Sequence, residues 1–282
     1  MRIEMWADIA NPWTHVAAER LRVALAAGDV AAEVVWRPLL TDAADPDAPR
    51  DALRLLVLAE ERGGVELQGR VAAELLASHD VRDLAELAAV ADRAGFPDAG
   101  ALLASDAGHA RLRELLLIGK ARGITISPTL ADEDRLLEFA MSPATIGEFL
   151  GASDGPDAAD APDASADRAA NQAARRLPPE VERLRWADEL LALNDPLGAL
   201  VLLEPLLAEH AQDPNIRRVA ASAYFASAQL GRARQVLEAT LADHPSDSYA
   251  RLMLGRTLER QGHADEAGTH LRMAAAMTPE YA

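Results

Sequence analysis

The spacing of apolar residues near the start of the chain predicts a strand, a helix and a second strand. An apolar run at 3–9 is followed by a helical run at 15–27, and β-branched and aromatic residues at 32–36 indicate the second strand. In this order the two strands are parallel and the helix is their crossover connection. We therefore expect the chain to begin with a βαβ unit.

The following stretch predicts a helical insertion, a hairpin and a closing helix. Residues 50–122 have a mainly helical pattern, and the stretches 124–130 and 136–139 flank a polar turn that is typical of a β-hairpin. Ser142 and Pro143 suit the N-cap and the first position of a short helix. Together these elements predict an α/β thioredoxin fold with an inserted helical subdomain.

A break in composition separates this region from the rest of the chain. Residues 152–179 are rich in small residues and proline and contain recurring aspartates, namely Asp154, Asp157, Asp160, Asp163 and Asp167. Such a segment has too few large apolar residues to form a core, and its like charges repel one another. We predict an acidic disordered linker; the other interpretation is a poorly ordered loop inside one domain.

Residues 180–282 are self-similar with a period near 34 residues, which indicates a helical repeat. Three units each combine small and large apolar residues with a later proline, at Pro214, Pro245 and Pro279. The first unit has about three extra residues before its proline, so we expect its second helix or loop to be longer. The pattern resembles the tetratricopeptide repeat, in which stacked helix pairs bury their apolar faces. We expect an all-α domain of three units.

The resemblance to the tetratricopeptide repeat implies a groove lined by the first helix of each pair. The expected lining is Arg218, Ser222, Phe225, Leu252, Arg256 and Glu259. Such a groove implies a protein or peptide partner. The alternative is that these side chains are simply solvated.

Charge and composition narrow the range of functions. The formal net charge is −17, and binding phosphates requires a basic face, so we expect neither a nucleic-acid partner nor an anionic membrane surface. We find no long uncharged apolar run and no signal-peptide pattern at the first residues, which predicts a cytoplasmic protein without a membrane span. The seven histidines lack metal-ligand spacing, and we expect no metal or other cofactor.

Several segments of residues 1–151 occur together in one known family. They are Trp6-Ala7-Asp8-Ile9, Pro12-Trp13, Val35-Trp36-Arg37-Pro38, Ala48-Pro49 and the stretch from Gly123 to Pro128. This region resembles the DsbA-like oxidoreductases of the FrnE and 2-hydroxychromene-2-carboxylate isomerase group, which are related to kappa-class glutathione transferases. The resemblance implies a thioredoxin fold and a cis peptide bond before Pro128.

The family's Cys-Pro-Trp-Cys motif is replaced here by Asn11-Pro12-Trp13-Thr14. The chain contains no cysteine, so its own residues cannot carry out dithiol–disulfide exchange. In the family the first cysteine lies at a helix N-terminus, where the helix dipole stabilises a thiolate. Asn is a favourable N-cap, and Pro suits the first helical position. We interpret the segment as a former active site that is retained as scaffold.

Two other interpretations give this region a ligand. Glutathione-dependent relatives place a serine here to hydrogen-bond a substrate thiolate, and Asn11 and Thr14 carry donors for such a bond. Alternatively, Ser127 and Pro128 with Trp13 hold an extended polypeptide, because family members pair peptide substrates with the backbone beside this proline. The structural alternative is a turn that only closes the sheet.

The sequence favours a redox-inactive DsbA-like domain joined to a peptide-binding repeat domain, in a protein-interaction or chaperone-like role. The alternative is an enzyme related to glutathione transferases, to isomerases or to the DsbA oxidoreductases, with a site that uses no cysteine. A glutathione-like ligand belongs to that alternative, whereas a polypeptide partner belongs to the first interpretation.

Overall fold

The computed structural model describes residues 1–27, 32–78, 80–132, 135–138, 142–151 and 177–281. The chain divides into two compact units, Met1–Ala170 and Asn171–Ala282, called the N-terminal unit and the repeat unit below. Most of the predicted linker, residues 152–176, lies outside the described residues. In the described ranges no helix is long and apolar enough to cross a membrane.

The described part of the N-terminal unit contains a four-stranded sheet. Its strands are β1 (Arg2–Ala7), β2 (Glu33–Pro38), β3 (Thr129–Asp132) and β4 (Arg135–Glu138). Across the sheet the order is β2-β1-β3-β4; β1 and β2 are parallel, and β3 is antiparallel to β1 and β4. Helix α1 (Pro12–Ala27) lies between the two parallel strands in the chain. This arrangement confirms the predicted thioredoxin-like fold.

In the described residues between β2 and β3 there are four helices, in agreement with the predicted helical insertion. They are α2 (Arg50–Ala77), α3 (Leu84–Arg93), α4 (Ala99–Leu103) and α5 (His109–Ala121), and α6 (Pro143–Gly151) follows the sheet. Helix α2 is kinked at Gly63 and Gly64, where Gly64 has a φ of 64°, a conformation that favours a residue without Cβ. Ser142 Oγ accepts a hydrogen bond of 3.2 Å from Thr145 N, which confirms the N-cap of α6.

Strand β3 begins later than the sequence predicted. The expected strand covered 124–130, but its first paired residue is Thr129. Pro128 has no N–H to offer a neighbouring strand, so the ladder starts only after it. The Ser127–Pro128 peptide bond is cis, as the family resemblance implied. Residues 124–128 therefore form a loop that leads into the middle of the sheet.

An ion-pair network joins β1 and β2 to the neighbouring helices. Glu4 Oε1 accepts a hydrogen bond of 3.0 Å from Arg37 Nε, and Arg122 donates to the other oxygen. Arg37 Nη1 also donates to Glu60 at 2.6 Å. Burial raises the pKa of Glu4, but Arg37 and Arg122 together lower it below its ordinary value. The ionised Glu4 carboxylate therefore stabilises the sheet.

At Trp36, the backbone groups on the outer side of edge strand β2 are covered by one side chain. Trp36 N donates to Gln68 Oε1, and Gln68 Nε2 donates to Trp36 O, both at 2.9 Å. Gln68 is fully buried. Its amide thus takes the place of a neighbouring strand and closes this position of the edge to other chains.

The repeat unit consists, in its described part, of three helix pairs and a short terminal turn. The pairs are α7 (Pro179–Ala192) with α8 (Pro196–Glu209), α9 (Pro214–Ala226) with α10 (Leu230–Asp243), and α11 (Ser248–Gln261) with α12 (Ala264–Met277). Arg217, near the start of α9, pairs with Asp243 at the end of α10 at 2.7 Å. Ser248 at the start of α11 accepts from Thr278, just beyond α12. The two helices of each of these pairs are therefore antiparallel.

The prediction that the first unit has a longer second helix or loop was wrong. Helices α8, α10 and α12 each have 14 residues. Pro214 is the first residue of α9 and lies 34 residues before Ser248, the first residue of α11. It therefore opens the second pair rather than closing the first, and Ala211 occupies the position that corresponds to Pro245. The apparent extra residues came from aligning prolines that have different roles.

Replacing Gly255 with Ala is expected to destabilise the repeat unit by about 1–2 kcal/mol, because overpacking outweighs the better helix propensity of Ala. A Cβ at Gly255 would lie 2.7 Å from the Leu271 side chain and 3.3 Å from the backbone oxygen of Ala267. Gly231→Ala is the matched control, since nothing lies within 4 Å of its Cβ position in α10. It should leave the melting temperature unchanged or raise it. Equal effects of the two substitutions on thermal unfolding would show that α11 and α12 do not approach closely at Gly255.

Candidate functional site

Asn11 and Thr14, which the family resemblance aligns with two cysteines, lie at the start of helix α1, where Asn11 is the N-cap. Its Oδ1 accepts a hydrogen bond of 3.0 Å from Trp13 N, and its backbone oxygen accepts one of 2.9 Å from Thr14 N. Pro12 is the first helical residue. Asn11 Nδ2 also donates to Ser127 O at 3.2 Å. Asn11 therefore starts the helix and ties it to the loop before β3.

Thr14 is fully buried, and its hydroxyl is used within the protein. Its Oγ1 donates to Asp8 O at 2.7 Å and lies 3.2 Å from Ser127 Oγ. Since the single hydroxyl proton of Thr14 goes to Asp8, Ser127 is the donor of the second bond. Ser127 Oγ in turn accepts from Asp8 N at 2.8 Å. Thr14 is therefore part of an interior hydrogen-bond junction with Asp8 and Ser127.

The carboxylate of Asp8 extends this cluster toward the loop after β2. One oxygen accepts from Ala10 N at 3.1 Å, and the other accepts from Thr41 N at 3.2 Å and from Thr41 Oγ1 at 2.7 Å. Asp8 was noted in the sequence only as part of a matching segment, and nothing in the sequence pointed to Thr41. We call Asp8, Asn11, Thr14, Thr41 and Ser127 the polar cluster.

The polar cluster holds three backbone segments together through its hydrogen bonds. It contains no histidine or lysine that could take a proton from Thr14 or Ser127, and its hydroxyls are already engaged with each other and with Asp8. The described residues contain no group of three or more acidic or histidine side chains placed to hold a metal ion. The contacts of the polar cluster join α1, the loop after β2 and the loop before β3.

Two open clefts flank the start of α1. One has a volume of about 440 Å³ and is lined by Asn11, Pro12 and Trp13 together with residues of the loop after β2. The other, of about 390 Å³, lies toward the end of α2, and Arg82 lines both. Trp13 is 60% exposed, whereas Ser127 is buried. The six residues predicted for this site therefore differ in accessibility. Trp13 offers a ligand a large apolar surface, whereas Thr14 offers none.

Replacing Asn11 with Ala is expected to destabilise the N-terminal unit by about 1–2 kcal/mol, because the helix loses its cap and Ser127 O loses a donor. Asn215→Ala provides the same chemical change at an exposed position near the start of α9. It should shift the urea midpoint by much less. Should the two substitutions prove equally mild, Asn11 would not be the structural cap described above.

The residues predicted to line the repeat groove are not equally accessible. Arg218, Arg256 and Glu259 are exposed, and Ser222 and Phe225 are half-buried. Leu252, with 6% exposure, is part of the packed interior and gives a partner little surface. The remaining residues lie on α9 and α11, the first helices of the second and third pairs.

Two residues that sequence reasoning missed join α9 and α11 next to the predicted lining residues. Tyr249 OH lies 3.2 Å from Ser222 Oγ. Arg260 lies with its guanidinium carbon 4.5 Å from the centre of the Phe225 ring and donates to Phe225 O at 2.8 Å. Both follow the helical spacing of the predicted α11 residues, so periodicity could have identified them. The repeat groove, as used below, comprises Arg218, Ser222, Phe225, Tyr249, Arg256, Glu259 and Arg260.

The fold and the sequence define a two-part protein, in which a thioredoxin-like unit without cysteine precedes a unit of tetratricopeptide repeats. A family model of the tetratricopeptide repeat matches residues 190–251. No curated protein matches the chain. Among solved structures, a probable DsbA oxidoreductase from Streptomyces coelicolor is similar to it with 22% identity and a TM-score of 0.49, covering 54% of this chain and 88% of that chain. Membership of the FrnE and isomerase group stays a prediction.

Proposed function

We propose that this protein is an interaction module with a chaperone-like role, in which the repeat groove holds a segment of a partner polypeptide. The N-terminal unit then acts as a scaffold without redox chemistry of its own. The observation that carries the proposal is a contrast between the two candidate sites. Hydroxyls and amides at the former dithiol position bind each other, whereas charged and aromatic side chains of the groove face solvent.

The polar cluster supports a scaffold role for the N-terminal unit. Thiol chemistry requires a sulfur atom, and the chain has no cysteine. The positions of the two expected sulfurs carry Asn11, which caps α1, and Thr14, which bonds Asp8 and Ser127. Both positions therefore have structural roles in this fold. We infer that the domain serves a purpose other than electron transfer.

The same contacts disfavour the glutathione-dependent alternative. Holding a thiolate requires a hydrogen-bond donor that faces the ligand. The Thr14 hydroxyl is fully buried and already donates to Asp8 O, and one of the two N–H groups of the Asn11 amide donates to Ser127 O. We therefore do not assign thiolate binding to this pair. Titration with glutathione, with the Asn11→Ala variant as comparison, addresses the alternative directly.

The groove supports a polypeptide partner because it combines aromatic surface with polar groups along adjacent helices. Phe225 and Tyr249 are only half-buried, and Arg218, Arg256 and Glu259 lie beside them. Aromatic residues and arginine are the residue types most often responsible for protein-binding energy. The matched repeat family is consistent with this use.

Site-specific photo-crosslinking tests the proposal in the intact chain. A photoreactive benzoylphenylalanine at Phe225 should give adducts with defined polypeptides from a cell extract after irradiation. The same group at Gln235, an exposed residue of the adjacent helix α10, is the matched control and should give far fewer. Equal yields at the two positions, or no adducts at Phe225, would contradict a role for the groove.

A further inference from the structure

An arginine near the start of α9 fastens the two helices of the second pair to each other. Arg217 Nη1 donates to Asp243 Oδ2 at the end of α10, at 2.7 Å. Arg217 Nε donates to Ala211 O, in the loop before α9, also at 2.7 Å. Hydrogen bonds between two charged groups are stronger than those between neutral ones. The buried guanidinium group of Arg217 is therefore matched by a carboxylate and fixes the end of α10.

The corresponding arginine of the third pair lacks this carboxylate. Arg251 lies 34 residues after Arg217, and the residue 34 positions after Asp243 is Met277. Arg251 Nη2 keeps the bond to the loop before its helix, donating to Pro245 O at 2.6 Å. Arg251 Nε is buried and has no hydrogen-bond partner among the residues that the structure describes. The guanidinium group of Arg251 therefore retains donor capacity that its counterpart in the second pair has used.

A methionine lies against Arg251 where the second pair has its carboxylate. Arg251 Nη1 donates to Met273 Sδ at 3.6 Å. A thioether sulfur is only a weak acceptor, so this contact is a poor substitute for an ion pair. Met273 is 44% exposed, and its side chain is therefore open to small molecules in the solvent. Met277, one turn further along α12, is 41% exposed, and no arginine donates to its sulfur in the described part of the chain.

We propose that Met273 is an oxidation site, and that Arg251 binds the sulfoxide which a peroxide forms there. The peroxide transfers one oxygen atom to Sδ: an S–O bond forms, the O–O bond breaks, the thioether is oxidised, and the peroxide is reduced to water or an alcohol. Because Arg251 Nη1 is already 3.6 Å from Sδ, an oxygen bound to that sulfur can come within the distance of about 2.9 Å of an ordinary N–H···O bond. Oxidation thus supplies the acceptor that Asp243 provides in the second pair.

The expected effect is opposite to the usual result of methionine oxidation. A sulfoxide in a packed interior disrupts it, because the side chain becomes polar. Met273 is exposed and faces a cation, so its sulfoxide should strengthen the junction of α11 with α12. The chain contains six methionines and no cysteine, so methionine is its only sulfur. Met273 and Arg251 lie outside the repeat groove as defined above, and the proposal does not depend on the proposed function.

Replacing Met273 with Gln tests the site without an oxidant, because the Gln amide carries an acceptor oxygen on a side chain of similar length. Hydrogen–deuterium exchange of the intact chain should become about tenfold slower at the end of α12, which is the usual size of a hydrogen bond to a charged group. Met277→Gln is the matched control, at an equally exposed position of the same helix, and should leave exchange unchanged. Equal slowing in the two variants, or none in Met273→Gln, would overturn the proposal.

Treatment with hydrogen peroxide tests the modification itself, with mass spectrometry of residues 273–282 to measure its extent. Oxidised Met277→Leu, which retains Met273, should exchange about tenfold more slowly in α12 than the same variant before oxidation. Oxidation of Met273→Leu should not slow exchange. Adding Arg251→Leu to Met277→Leu should abolish the slowing, and each variant is compared with its own reduced form, so any loss of stability from the substitution cancels. Slowing that persists without Arg251, or faster exchange once Met273 is oxidised, would contradict the assignment.

Discussion

Replacing Gln68 with Met is expected to lower the free energy of unfolding of the N-terminal unit by about 3–4 kcal/mol, because two buried backbone groups lose their partners. Met has nearly the same length and shape, so the loss reports the hydrogen bonds rather than a cavity. The groups left unpaired are Trp36 N and Trp36 O, both bound to the Gln68 amide at 2.9 Å. A third bond, from Gln68 Nε2 to Leu56 O at 3.2 Å, is lost with them.

Urea unfolding followed by tryptophan fluorescence measures this loss. Trp6, Trp13 and Trp36 belong to the N-terminal unit, so a Trp186→Phe background restricts the signal to that unit. Gln235→Met makes the same chemical change at an exposed position of α10 in the repeat unit, and circular dichroism should show that it leaves the transition of that unit in place. A change of less than about 0.5 kcal/mol in Gln68→Met, the usual range for surface substitutions, would refute the edge-covering role of Gln68.

Replacing Glu4 with Gln is expected to destabilise the N-terminal unit by about 2–3 kcal/mol at neutral pH, somewhat below the cost of breaking a fully buried ion pair. Two guanidinium groups, of Arg37 and Arg122, lose the carboxylate between them. Arg37 keeps its bond to Glu60, which limits the loss. Trp6 Nε1 also donates to Glu4 at 3.0 Å, so the amide retains part of the network.

The effect of Glu4→Gln should depend on pH in one direction. Because the pKa of Glu4 is lowered in the folded state, the carboxylate stabilises the fold at pH values above its unfolded pKa of about 4.3. This contribution is lost as the pH falls through the lower folded value, so wild type and Glu4→Gln should converge in acid. Glu33→Gln, at an exposed position of β2, should differ little from wild type at any pH. A pH-independent difference for Glu4→Gln would show that the carboxylate is not ionised in the network.

Local patterns in the sequence predicted the helices and strands well where these follow from the spacing of apolar residues or from a helix N-cap. The βαβ start, the helical insertion and the helix pairs all follow from apolar spacing, and Asn11-Pro12 and Ser142-Pro143 follow from helix-start preferences. The start of β3 was misplaced because an apolar run does not show where a proline interrupts pairing. Pro214 was misassigned because a proline that opens a helix looks the same in sequence as one that closes a repeat.

Contacts between distant residues could not be predicted from the sequence. Nothing near Gln68 indicates that it binds Trp36, and the burial of Thr14 depends on Asp8 and on Ser127, which is 113 residues away. Asn11 and Ser127 were both predicted for the same candidate site, but the structure joins them directly, so one amide N–H of Asn11 binds the protein rather than a ligand. Leu252 was placed in the groove by the resemblance to the tetratricopeptide repeat, but the side chain is buried beneath the lining residues.

Hydrogen–deuterium exchange of the intact chain, with and without a polypeptide captured by photo-crosslinking at Phe225, tests most directly which of the two sites holds a polypeptide. The proposed function predicts slower exchange in residues 214–226 and 248–261 when the polypeptide is bound, and no change in residues 8–14 or 126–130. Protection confined to the start of α1 and the loop before β3 would contradict it, because the former dithiol site would then be the binding site and the repeat groove would not.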